Sequence, residues 1–211
     1  MVDLVAANEQ AATVHTGTAA EAAGIAGALA RAFYDDPAFG WVLRADERRL
    51  RALRDGFELF LRRVWLAHEQ TYTTSDTVGA AVWEPPGRWK HGVGEQLRLL
   101  PATIGVFRRH SPRVLRALTV LEAGHPAEPE FAPHYYLAFL GVDPDWQGRG
   151  LGAALLAPVL ARCDSERVPA FLEASTPRNR ALYERHGFDV IEQFKLGRSA
   201  PPQWRMWREP R

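Results

Sequence analysis

The sequence predicts one α/β domain with a mixed sheet. Three observations carry that expectation. Strand-like and helical periodicities follow one another as β-α-α-β-β, a helical middle, and then β-α-β-α-β-β. No composition shift or linker separates two cores, so residues 1–211 are expected to be a single domain. A chain of 211 residues with 46% hydrophobic and 24% charged residues can bury a substantial core of its own.

The elements follow in order. "ATVHTG" is a plausible short strand. "TAAEAAGIAGALARAFYDD" reads as a helix, with Thr18 as cap, Glu21 at capping-box spacing and Asp36-Pro37 as its stop. Residues 46–68 form a second helix, on which Leu50, Leu53, Phe57, Phe60, Leu61 and Val64 make an apolar stripe opposite a solvated arginine face. "TYTTSD" and "TVGAAVWEPPG" read as a hairpin that closes the N-terminal part, residues 1–91. Residues 92–133 are expected to be a helical insertion, broken at Pro101 and Pro112 and followed by the proline-rich "AGHPAEPEFAPH".

Residues 134–211 carry the densest pattern. "HYYLAFLGVDP" has strand length, and "LGAALLAPVLARCD" reads as a helix bent by Pro158, with Cys163 as a small core residue. "VPAFLEAS" is a second apolar strand. "PRNRALYERHGF" is a helix with Pro177 near its start and Gly187 just past its end. "FDVIEQF" and "QWRMWRE" are the last strands, the latter a candidate edge for pairing in a homodimer.

Several function classes are disfavoured. A formal net charge of +1 argues against a generic nucleic-acid or membrane-surface binder. One cysteine allows no intrachain disulfide, and the N-terminus has no basic segment followed by an apolar block. A cytoplasmic location is the expectation.

"DWQGRGLG", residues 145–152, poses the functional question. Glycine is a poor helix former, yet Gly148, Gly150 and Gly152 stand where a helix should begin. A helix N-terminus offers unpaired N–H groups and a positive dipole end, and bare glycine backbone lets a phosphate approach them. Gln147 and Arg149 can add side-chain donors. The bland alternative is a turn that merely reverses the chain. The string also satisfies the dinucleotide fingerprint, with Glu173 at the next strand's end. Against that, "DPDWQ" separates Val142 from Gly148, and too little chain follows for a doubly wound sheet.

"LGVDPDWQGRGLGAALL" resembles the acyl-CoA pyrophosphate motif of the GNAT superfamily of N-acetyltransferases, and "PRNRALYERHGF" resembles the motif that follows it there. Over residues 125–192 the likeness is tightest to the puromycin N-acetyltransferase group of small-molecule acetyltransferases. The resemblance implies a mostly antiparallel sheet of about seven strands, flanked by helices and split between its two central strands. It also implies acetyl-CoA as acyl donor. The backbone of Leu140, Gly141 and Val142 would pair with the pantetheine arm. Gln147, Gly148, Arg149, Gly150, Leu151 and Gly152 would hold the pyrophosphate, Asn179 would face the pantetheine end, and Tyr183 would lie near the sulfur as general acid.

The chemistry then needs a base for the attacking amine and a proton for the departing thiolate. Tyr183 suits the second task, its alternative being a ring packed on the sheet. Glu173 is the candidate base, directly or through water, with His134 and His125 as competitors and a dedicated base not obligatory. Phe33, Tyr34, Trp83, Glu84 and Trp89, with His134, are candidate walls for the acceptor, Glu84 as an ammonium partner. Core packing for Trp83 and a solvated Glu84 are the plain alternatives. The expected activity is acetyl transfer to a primary amine of a small molecule, an aminonucleoside or another antibiotic among the candidates. A protein or peptide amine, or an acyl-CoA sensor without turnover, is the alternative.

Overall fold

The computed structural model describes residues 13–43, 47–90, 93–126 and 131–211. Its sheet has seven strands: β1 (Val14–Thr16), β2 (Thr71–Thr74), β3 (Gly79–Glu84), β4 (Tyr135–Val142), β5 (Ala170–Ala174), β6 (Asp189–Lys195) and β7 (Pro202–Arg208). They lie in the order β1-β2-β3-β4-β5-β7-β6. Every neighbouring pair is antiparallel except β4 with β5. The mixed, mostly antiparallel fold expected from the resemblance is therefore the observed one. A single parallel pair leaves no room for a doubly wound dinucleotide domain.

The helices are α1 (Ala22–Ala32), α2 (Pro37–Val42), α3 (Arg49–Arg63), α4 (Val93–Phe107), α5 (Ser111–Ala123), α6 (Leu151–Glu166) and α7 (Pro177–Arg185). One sheet face is covered by α1 to α5, around Leu29, Phe57, Leu61, Val82 and Phe107. The other is covered by α6 and α7, around Trp83, Leu137, Leu155, Leu156, Leu172, Tyr183 and Met206. Both clusters follow from the period-2 and period-3.6 patterns of the chain. Among the described residues no helix is long and apolar enough to cross a membrane.

Four sequence expectations need correction. Asp36-Pro37 does not merely stop a helix. It starts α2, with Oδ1 of Asp36 accepting from the N–H groups of Ala38 (2.9 Å) and Phe39 (3.1 Å). Pro101 lies inside α4 and Pro112 in the first turn of α5, so only the second marks a boundary. The strand "QWRMWRE" is interior, flanked by β5 and β6, and β6 is the sheet edge. An internal strand has its ladder groups already paired and cannot extend the sheet to a second copy. Glu21 receives the Thr18 N–H and hydroxyl, but α1 proper begins only at Ala22.

Candidate active site

The parallel pair at the centre of the sheet is short. Tyr135, Tyr136 and Leu137 pair with Ala170, Phe171 and Leu172, and there the strands part. Beyond that point β4 pairs only with β3, while β5 pairs only with β7. At the parting Leu137 faces Trp83 and Phe139 faces Val82, so Ala138 is an extra residue, a β-bulge in β4. The result is a wedge between β4 and β5, with one edge of the β4 segment from Ala138 to Val142 unpaired.

The wedge leads to the glycine turn. Gly148 and Gly150 have φ of +78° and +81°, a left-handed region that a side chain enters at a cost, and a Cβ on either would meet nothing within 4 Å. The first bond of α6 runs from the Ala154 N–H to the Gly150 carbonyl, so the N–H groups of Leu151, Gly152 and Ala153 have no helical partner. The first turn of α6 contains no acidic residue. Open space before bare backbone donors at the positive end of a sixteen-residue helix suits a diphosphate.

Around this turn the sequence candidates behave differently. The Leu151 side chain is buried in a small cluster with Val78, while its backbone opens the helix. Arg149 lies over the Trp146 ring, 4.7 Å from its centroid, and donates to the Asp145 carbonyl at 3.2 Å. Gln147 folds back to donate to the Val142 carbonyl at 3.0 Å, so that carbonyl is engaged within the protein. Gly141 has a packing reason of its own. A Cβ there would come within 2.9 Å of Leu29 and Ala32 on α1. Leu140 is half-buried against the α6 face.

On the face covered by α1 to α5, cross-strand register builds two rows. Glu84, Tyr136, Phe171 and Trp207 stand side by side, and Glu173, Arg205 and Glu192 form the next row. Glu173 is therefore a face-mate of Phe171, the first position past the parting of the strands. Its Oε1 is sealed from solvent with no hydrogen-bond partner among the described residues. Burial pushes this carboxyl up to about 7, opposed by the Tyr136 hydroxyl and by the Arg205 guanidinium. Arg205 is held by an ion pair to Glu192 and by the Phe194 ring beneath it, 4.0 Å away.

Tyr183 sits on α7 across the sheet and is 5% exposed. Burial, reinforced by the Asp36 charge, holds its phenol protonated well above the usual tyrosine range. Asn179 lies one turn earlier, its backbone N–H capped by the Thr176 hydroxyl at 3.1 Å.

The histidines are paired with each other. Nε2 of His134 lies 2.9 Å from Nε2 of His125, and Nδ1 of His134 bonds the Ala132 carbonyl at 2.9 Å. Trp89 stacks on His125 with ring centroids 3.7 Å apart. Burial, then His134 and Arg205, pulls His125 down to about 3, and burial also lowers His134. Both rings are neutral at physiological pH, and His125 is a poor proton acceptor.

Among the expected acceptor walls, Trp83 is corrected. It is wholly buried against α6, on the sheet face opposite Glu84, because adjacent strand residues point to opposite sides. Glu84 is not solvated either. It is 2% exposed and accepts from the Trp65 indole at 3.0 Å. Phe33 belongs to an aromatic cluster with Phe39, Phe57 and Phe139, at centroid distances of 5.1 to 5.7 Å. Tyr34 is exposed, with the Arg49 guanidinium over its ring.

Sequence reasoning missed Asp36, Ser175, Tyr136 and Arg205. Asp36 and Ser175 meet at 2.5 Å across 139 residues, and Arg205 faces Glu173 only through strand register. The alternation that put Glu173 and Phe171 on one face was the only available signal.

A split parallel pair beside a glycine turn on a helix N-terminus is the arrangement that the resemblance to the GNAT superfamily implies. Residues 81–188 match the acetyltransferase (GNAT) family model, and the chain belongs to that family. Over 78 residues, 36% of the chain, it is 37% identical to an uncharacterised N-acetyltransferase of Schizosaccharomyces pombe, covering 32% of that protein. Over 55 residues, 25% of the chain, it is 50% identical to mycothiol acetyltransferase of Beutenbergia cavernae, covering 18% of it. The matches thus span a third or less of these relatives' own lengths. A solved structure from Corynebacterium glutamicum, described as histone acetyltransferase HPA2 and related acetyltransferase, superposes with a TM-score of 0.69 at 25% identity, covering 94% of this chain and 96% of that one.

Proposed function

We propose that the protein transfers an acetyl group from acetyl-CoA to the primary amine of a small molecule. The carrying observation is the wedge between β4 and β5, with a sealed carboxylate oxygen of Glu173 that has no hydrogen-bond partner among the described residues on one side and the open glycine turn at its end. Acetyl-CoA supplies an activated thioester carbonyl. Gly148, Gly150 and the first N–H groups of α6 hold the diphosphate, with Gln147, Arg149, Leu151 and Gly152 around it. The edge of β4 from Leu140 to Val142, apart from the Val142 carbonyl that Gln147 engages, runs beside the pantetheine arm, with Asn179 at its far end.

Glu173 takes the proton of the incoming ammonium. A carboxyl near 7 is half ionised at neutrality and strong enough as a base to share that proton. Tyr183 remains protonated across the working range and donates to the leaving thiolate. The His125–His134 pair stays neutral and shapes the aromatic side of the site.

Two closures support a small acceptor. The insertion helices pack Leu99, Phe107, Val114 and Ala117 into the same core as Phe57 and Leu61, roofing that face. The Trp41 indole donates to the Ser199 hydroxyl at 3.1 Å, joining α2 to the β6–β7 connection. A peptide would need an open groove along this face. The likeness to the puromycin N-acetyltransferase group points the same way, to an amine on a compact, antibiotic-like body.

The test measures free CoA released from acetyl-CoA with a panel of small amines and with lysine peptides, for the unaltered chain and Glu173→Gln. Turnover with small amines, lost in the variant, is the expected result. Turnover with peptides alone would overturn the acceptor class, and CoA binding without turnover on any amine would leave only a sensor.

A further inference from the structure

His125 and His134 take no part in the proton transfers proposed for Glu173 and Tyr183, yet their contact has a direction. A carbonyl oxygen can only accept, so the 2.9 Å bond from Nδ1 of His134 to the Ala132 carbonyl puts the His134 proton on Nδ1. The ring is neutral, and its Nε2 is therefore a lone pair. That lone pair accepts at 2.9 Å from Nε2 of His125, which must carry the His125 proton. Nδ1 of His125 is then the acceptor end of the chain. A nitrogen too weakly basic to take a proton still accepts a hydrogen bond.

The fold does not answer that acceptor. His125 is 8% exposed, and no described residue bonds its Nδ1. Its neighbours are aromatic: Trp89 stacks at 3.7 Å between centroids, with Tyr136 and Phe171 steeply inclined at 4.7 and 4.8 Å. The Tyr136 hydroxyl is engaged by Glu173. Packing does not seal Nδ1 as it seals Oε1 of Glu173, so the atom is open to a ligand. Once a substrate displaces water from this slot, only a donor on the substrate itself can meet the lone pair.

Position ties the slot to the acceptor. Phe171 and Glu173 share one face of β5, two residues and about 7 Å apart. His125 packs on Phe171, and the amine gives its proton to Glu173. An acceptor reaching from one to the other spans several bonds.

We infer that His125 is a specificity residue of the acceptor site: its Nδ1 accepts a hydrogen bond from an O–H or N–H carried several bonds from the reacting amine. His134 is the positioning residue that fixes the tautomer. The acceptor class is thus an amine with a remote donor, such as an amino alcohol, and not a plain alkylamine. The inference rests on the acetyl-transfer reading.

Two measurements test it. Nitrogen-15 NMR of the imidazoles reads the tautomers without any substrate. His125 should carry its proton on Nε2 and His134 on Nδ1, and a His125 proton on Nδ1 would overturn the inference. The second measurement compares kcat/KM for 5-aminopentan-1-ol and its methyl ether, which lacks the donor. The alcohol should lead by about tenfold, the effect of meeting one buried acceptor. In His125→Phe, which keeps a flat ring against Trp89, the ratio should fall to within about twofold, whatever the absolute rate. His134→Phe, which frees the tautomer, should lower the ratio too. Equal use of both amines by the unaltered chain, or an unchanged ratio in either variant, would overturn the inference while acetyl transfer stands. If neither amine is acetylated, the inference falls, and the wider amine panel decides the transferase reading separately.

Discussion

Glu173 and Tyr183 differ in how they are held, and that difference separates the roles proposed for them. Glu173 is a carboxyl raised by burial, so it favours its neutral form until pH approaches 7. Turnover should fall as pH drops below about 7, and in Glu173→Gln this acidic limb should vanish with most of the rate. A pH profile of kcat/KM for both proteins checks it. The same shift has a stability sign. The unfolded carboxyl ionises near 4.5 and the folded one near 7, so ionisation favours the unfolded chain as pH rises through that window. Glu173→Gln should therefore gain stability relative to the unaltered chain between pH 4.5 and 7, by on the order of 3 kcal/mol at the upper end. Denaturant titrations at the two pH values measure it. Tyr183→Phe should lower kcat steeply, with CoA affinity little changed, because the phenol acts in the transition state. Unchanged turnover would remove Tyr183 from the mechanism.

At the scale of elements, α5 is pinned to the sheet by contact with one arginine. The end of α5 leaves Gly124 where a Cβ would fall 1.7 Å from Nη2 of Arg205, which also reaches the Val120 carbonyl at 3.4 Å. Gly124→Ala must displace a buried guanidinium that faces Glu173 and pairs with Glu192. A loss of about 1–3 kcal/mol is expected, together with an upward move of the acidic limb as the cation leaves Glu173. Thermal denaturation and the pH profile separate the two effects. The glycine turn carries the second element-scale expectation. At φ of +81°, Gly150→Val strains the backbone and fills the open space before the α6 donors. CoA binding should be lost while the core, which Gly150 does not touch, stays folded. Normal binding would place the phosphates elsewhere.

Across the whole molecule, the wedge joins two cores that face opposite sides of one sheet. A ligand spanning it binds the folded chain alone, so CoA at about a hundred times its dissociation constant should add about 2.7 kcal/mol of stability. A rise in melting temperature with CoA, absent in Gly150→Val, checks this at the level of the fold.

What the sequence determined by itself was local. Periodicity placed β4, α6, β5 and α7, because alternation and 3.6-residue stripes report which side of an element is buried. The glycines at 148, 150 and 152 marked an open helix start, because backbone freedom is read from neighbours in sequence, whereas Tyr183 was singled out only by the resemblance of "PRNRALYERHGF" to a family motif. Alternation puts Trp83 and Glu84 on opposite faces, which their reading as walls of one pocket overlooked, and only the sheet's order decided that α6 buries the first and Trp65 meets the second. Register alone set Arg205 opposite Glu173, and the path of the chain alone brought Asp36 to Ser175. Contacts across a sheet depend on strand order and on where two strands part, and neither is encoded within any one segment.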